Sequence, residues 1–151
     1  VGRGTGVDDA GLSLKARVVR EGLAANPNAT KNGLQALRCL GGRELAAIAG
    51  AVAAARSHSI PVIIDGFICT AALACLAMVS EGALDHTVAG HQSQEAAHAK
   101  VLAALGKEPI FSLGLRLGEG SGGALAIGLM KAALACHSGM ATFAEAGVSE
   151  D

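Results

Sequence analysis

The sequence predicts an α/β fold, a Rossmann-like parallel sheet flanked by helices and left incomplete without chain upstream. Three short apolar runs, at 60–66 (IPVIIDG), 86–91 (HTVAGH) and 109–113 (PIFSL), have the form of buried parallel strands. Each is followed by a stretch of helical length, and an alternation of strand and helix calls for a parallel sheet with right-handed crossovers. Hydrophobic residues make up 51% of the chain but aromatics only 2%, with no Trp or Tyr. The core must therefore be built from Ala, Leu, Val and Ile, which suits close-packed helices better than a β-sandwich.

Element by element, Asp8 or Asp9 can cap a first helix reaching about Leu23, with acidic groups near its positive end. Pro27 and the Asn-rich segment NPNATKN break it. A short helix is expected over 34–40, closed by Gly41-Gly42, and another over 44–57. The first strand leads to a helix over 67–80, the second to one over 93–104, and the third to a long one over 121–137. Residues 1–139 are thus expected to form the C-terminal part of an α/β domain. Residues 140–151 should be a tail with a short packing helix and a loose end. The chain opens VGRGTGVDD, without Met and already inside a glycine loop of the kind that follows a strand, so it is expected to begin inside a larger protein.

Charge and cysteine usage exclude several classes. Twelve Lys plus Arg against thirteen Asp plus Glu give no basic surface, and no aromatic platform exists for base stacking, so nucleic-acid binding is not expected. Cys39, Cys69, Cys75 and Cys136 lack any CxxC or zinc-like spacing and sit among apolar neighbours. They read as reduced, buried thiols of a cytoplasmic protein. The most apolar stretch, 60–79, is interrupted by Asp65 and Gly66 and reads as strand, turn and helix rather than a membrane span.

Ligands of open α/β sheets bind outside the carboxyl ends of the strands. Asp65, His91, Ser93, Glu95 and Glu119 should therefore share one edge. GRGTG at 2–6 is either a phosphate cradle ahead of a helix or a plain tight turn. Lys15, two turns on, is either a phosphate ligand or a solvated charge. Asp65 either caps the helix starting at Phe67 or binds a sugar hydroxyl. Gln92 and Ser93 fit caps of the following helix. His91 and His98, seven apart, would lie roughly on one helical face, without a third residue spaced to complete a metal site. Glu119, between Gly118 and Gly120, is either a group presented to substrate or an acid favouring a helix dipole. In the first case Leu113, Leu115 and Leu117 would supply apolar surroundings, which favour the protonated carboxyl and make it a better base near neutrality.

Taken together and in order, GRGTGVDD (2–9), VIIDGF (62–67), AGHQSQEAAH (89–98), LGLRLGEGSGGALA (113–126) and MATFAEAGVS (140–149) resemble the nicotinate-nucleotide–dimethylbenzimidazole phosphoribosyltransferase family of cobalamin lower-ligand assembly. The likeness runs over essentially the whole chain and corresponds to the C-terminal half to three-fifths of such an enzyme. It implies a cytoplasmic homodimer that transfers phosphoribose from nicotinate mononucleotide to 5,6-dimethylbenzimidazole, without a cofactor or metal. By resemblance Glu119 is the general base. Leu117 lines the benzimidazole pocket, and Gly118 stands beside it in the substrate site. Gly4, Lys15 and Ser93 fall where the family contacts the nucleotide, and Asp65 falls on its DGF motif.

Two departures matter. Ala96-Ala97-His98 stands where the family more often has Pro-Gly-His, and the family's other nucleotide loop and most of its benzimidazole pocket lie upstream. The 151 residues alone should therefore turn over little or nothing. Two other readings compete: a non-catalytic nucleotide-binding module, and a structural fragment whose uncovered surfaces need a partner.

Overall fold

The structure is a computed structural model that describes residues 1–2 and 7–148. Its three strands, β1 (Val62–Ile64), β2 (Thr87–His91) and β3 (Pro109–Phe111), form a parallel sheet in the order β1-β2-β3. Ile64 lies opposite Ala89, and His91 opposite Phe111. Helix α1 spans Asp9–Ala25, with Asp8 Oδ1 accepting the Gly11 N–H at 2.8 Å, the expected cap. Pro27 opens a single 3-10 turn, Pro27–Thr30. Helix α2 (Gly33–Ala36), capped by the Asn32 side chain, widens directly into a π turn over Leu37–Gly41. Helices α3 (Gly42–Ser57), α4 (Phe67–Ala77), α5 (His98–Ala104) and α6 (Ser121–Gly139) follow.

The sheet is covered on both faces. Val62 and Ile64, two apart on β1 and so on one face, pack with Val52 of α3 and with Ala72 and Leu73 of α4. On the other face, Gly90 of β2 sits beneath Ile63 and Ala126 of α6. The core is aliphatic, as the composition requires; its largest fully buried side chains are Ile64, Leu73, Leu102, His98 and Thr70.

Several expectations are corrected. The helix expected over 93–104 begins only at His98, because residues 92–94 follow the β3 edge, where Gln92 N–H donates to Phe111 O and Gln94 N–H to Leu115 O, and residues 96–97 then turn into the helix. Gln92 and Ser93 are therefore not helix caps, and His91 and His98 do not share a helical face. The helix expected over 67–80 ends at Ala77, where turns closed by Gly82 at φ +71° take over. The described part of the tail, residues 140–148, holds one hydrogen-bonded turn instead of a packing helix. Thr142 and Glu145 form a reciprocal capping box, and Gly147 at φ +69° ends the turn five residues after Thr142. Phe143 is exposed there. None of the four free cysteines is fully buried; Cys39 and Cys136 lie on exposed helix faces. Burial raises the Cys75 pKa, so that thiol stays protonated. Among the described residues no helix is long and apolar enough to cross a membrane.

Candidate active site

The loops after the three strands converge on one cavity of about 580 Å³, as a ligand crevice at strand ends should. Asp65, Phe67, His91, Ser93, Glu95 and Glu119 are among its walls, so the acidic and imidazole groups expected on one edge do meet there.

After β1, Asp65 does not cap α4 as one of its two expected roles required. The cap position of α4 is Gly66, without a side-chain cap. Asp65 Oδ1 instead accepts the Gly123 N–H at 2.8 Å, in the first turn of α6, and stands 3.5 Å from His91 Nε2. A carboxylate is well placed at the positive end of a helix. Asp65 thereby fastens the glutamate-bearing loop and its helix to the sheet. Gly122 completes the joint, since a Cβ there would overlap the His91 ring.

After β2, His98 is wholly buried at the start of α5 and reaches back into the loop. Its Nδ1 is 2.9 Å from both the backbone N and the Oγ of Ser93, and its Nε2 is 2.9 Å from Thr70 Oγ1. Thr70 Oγ1 in turn donates to Gly66 O at 2.9 Å. Burial first, and the neighbouring His91 second, lower the His98 pKa from its ordinary 6.5; Asp65 opposes them more weakly. Nothing in the sequence singled out Thr70 or Gly122. The repeated histidines of the loop were the only signal for His98.

After β3, the chain carries three successive left-handed residues, Gly118 (φ +83°), Glu119 (φ +58°) and Gly120 (φ +74°). Glycine adopts this region freely; glutamate does not, and its conformation costs about 1–2 kcal/mol. Ser121 secures the turn, its N–H and Oγ both donating to Gly118 O at 3.1 and 2.9 Å. The Glu119 carboxylate is exposed at the cavity wall and precedes α6 rather than occupying its first turn. Leu113 and Leu117 are exposed too, and of the three leucines expected around it only the half-buried Leu115 lines the cavity.

Of the other residues singled out by resemblance, Gly118 and Ser93 line the cavity. Leu117 is 79% exposed and stands outside it. Lys15 on α1 donates to Gly2 O at 3.3 Å, and Gly2 borders the cavity, so Lys15 supports its rim from behind. Gly4 lies outside the described residues.

A phosphoribosyltransferase family model matches residues 1–148. The chain belongs to the phosphoribosyltransferase family. This phosphoribosyltransferase chain is 72% identical over 149 residues to the nicotinate-nucleotide–dimethylbenzimidazole phosphoribosyltransferase of Ruegeria pomeroyi, covering 99% of the chain and 44% of that protein. It is 69% identical over 148 residues to the enzyme of the same name from Jannaschia sp., covering 98% of the chain and 44% of that protein. The crystal structure of CobT from Thermus thermophilus superposes with a TM-score of 0.90 at 42% identity, over 100% of the chain and 45% of that structure. The phosphoribosyltransferase chain thus spans less than half the length of the relatives it matches.

Proposed function

We propose that this chain carries the base-bearing part of an enzyme that transfers phosphoribose from nicotinate mononucleotide to 5,6-dimethylbenzimidazole. The observation that carries the reading is Glu119: a carboxylate held in a left-handed conformation between two left-handed glycines, at the wall of the strand-end cavity. Strain of this kind persists where the surrounding structure fixes it, and it concentrates at functional sites. The names of the similar proteins supply the two substrates.

The chemistry needs one base. The leaving group departs as the glycosidic bond breaks, its pyridinium nitrogen taking the bonding pair and becoming the neutral ring nitrogen of nicotinate, so no acid is required to expel it. The attacking benzimidazole nitrogen forms the new bond to the anomeric carbon, and the proton on its other nitrogen passes to Glu119. Attack opposite the leaving group inverts the anomeric centre and gives α-ribazole 5′-phosphate. The flanking glycines leave no side chain to obstruct a flat bicyclic ring. The Asp65 link to Gly123 keeps the Glu119 loop in register with the cavity. The same reading includes a cytoplasmic homodimer, checked by sedimentation of a family-length protein.

In a family-length protein containing this segment, Glu119→Gln should lower kcat about 10²- to 10⁴-fold while nicotinate mononucleotide still binds. Steady-state kinetics with both substrates, beside calorimetric binding of the nucleotide, test this. Unchanged turnover would sink the role of Glu119.

A further inference from the structure

The ring of His98 stands where the sheet has run out of partners. Along an extended strand, successive backbone N–H groups point to opposite sides. Beyond β2, Gln92 N–H and Gln94 N–H both reach the β3 side, to Phe111 O at 2.8 Å and Leu115 O at 3.1 Å. Ser93 N–H faces the other way, towards β1, but the chain there has already turned at Asp65 and Gly66 into α4. A buried amide without an acceptor is costly. His98 Nδ1 supplies that acceptor at 2.9 Å.

The surrounding hydrogen bonds also fix where the imidazole proton sits. Nδ1 accepts from an amide and therefore carries no proton. Thr70 gives its hydroxyl proton to Gly66 O, so its oxygen is left to accept from His98 Nε2–H at 2.9 Å. The Ser93 hydroxyl is also 2.9 Å from Nδ1. One imidazole lone pair cannot serve two donors fully, and the amide, fixed by the backbone, is the donor that cannot turn away.

We propose that His98 is a positioning residue: as the neutral Nε2–H tautomer it holds the Ser93 amide through Nδ1, which frees the Ser93 hydroxyl to donate to an oxygen of the phosphoribosyl substrate in the cavity. The proposal rests on the function proposed above. It explains why Ser93 lines the cavity without capping a helix. Protonating Nδ1 would set two donors against each other. Among the described residues, the ionisable groups that act on the ring are His91, with ring centroids 6.2 Å apart, and Asp65; α4 contributes Phe67 and Thr70.

Two variants in a family-length protein separate positioning from packing. In His98→Asn the carboxamide oxygen stands where Nδ1 stood and still accepts from Ser93, while the Thr70 contact is lost. In His98→Gln the amide group stands nearer Nε2, keeping Thr70 and losing Ser93. The expected result is a KM for nicotinate mononucleotide raised about tenfold in His98→Gln, and by no more than about threefold in His98→Asn, with kcat little changed in either. Equal effects of the two variants, or a loss confined to kcat, would overturn the proposal. Imidazole ¹⁵N NMR of the unliganded protein should report the neutral Nε2–H form at pH 7.5; an Nδ1–H or charged ring would overturn it whatever the activity. If that tautomer is found but wild type transfers no phosphoribose, the proposed function fails alone. Exchange of the Ser93 amide then decides the positioning role: protected in wild type and His98→Asn and unprotected in His98→Gln supports it, and any other pattern refutes it.

Discussion

Glu119 and His98 show how single residues are forced into unusual states by their surroundings. Glu119 has no local reason to be left-handed; the turn closed by Ser121 onto Gly118 O imposes it. His98 is held neutral because its ring is wholly buried and a proton on Nδ1 would face the Ser93 amide. That neutrality has a consequence for stability. A histidine whose pKa is lowered on folding binds fewer protons folded than unfolded, so its contribution is intact above the ordinary value of 6.5 and is lost as pH falls from there through the lowered folded pKa. Urea unfolding from pH 8 to 5 should therefore show stability falling in acid. His98→Asn, which cannot titrate, should show a shallower fall. Identical pH profiles for the two proteins would mean that His98 does not titrate differently on folding.

The junction of α6 with the sheet governs the site at the scale of elements. Asp65 binds the first turn of α6 from β1, and the His91 ring from β2 lies against Gly122. The sign of a glycine substitution tests this docking. Helix propensity alone favours Ala over Gly by about 1 kcal/mol. At Gly128, farther along α6, a Cβ meets nothing within 4 Å, so Gly128→Ala should stabilise the 151-residue chain. At Gly122 the new methyl would strike the imidazole, and Gly122→Ala should destabilise it by about 1–3 kcal/mol despite the propensity gain. Denaturant midpoints of the two variants check both signs; a stabilising Gly122→Ala would show that α6 is not seated tightly on His91.

The whole chain exposes more than a compact molecule should. Its accessible surface is 9965 Å², where about 7,000 Å² is expected for a compact monomer of its mass. Helix α1 has no buried residue, and Leu125, Ile127, Leu129 and Leu134 of α6 are all exposed. Apolar area of this extent drives association. The isolated 151 residues should self-associate in sedimentation runs and turn over little or no substrate, since they span less than half the length of their relatives. A monodisperse, fully active 151-residue protein would contradict both parts of that expectation.

The sequence by itself determined the alternation of strands and helices, the aliphatic core and the gathering of Asp65, His91, Ser93, Glu95 and Glu119 at one edge. These follow from local patterns: β-branched runs, capping residues, glycines at turns, and the rule that ligands gather at strand ends. The tertiary structure decided what each group does there. Asp65 reads locally as the cap of the helix that follows it, but its partner is Gly123, 58 residues away. Ser93 reads as a helix cap, but β3 draws its neighbours into an extended loop and His98 takes the amide left over. The apolar surroundings expected for Glu119 are met only in part: Leu115 lines the cavity with it, whereas Leu113 and Leu117 are exposed because nothing in these residues packs against them. Local chemistry specifies which residues can act, while hydrogen bonds between distant segments, invisible to any pattern of spacing, specify which of them face one another.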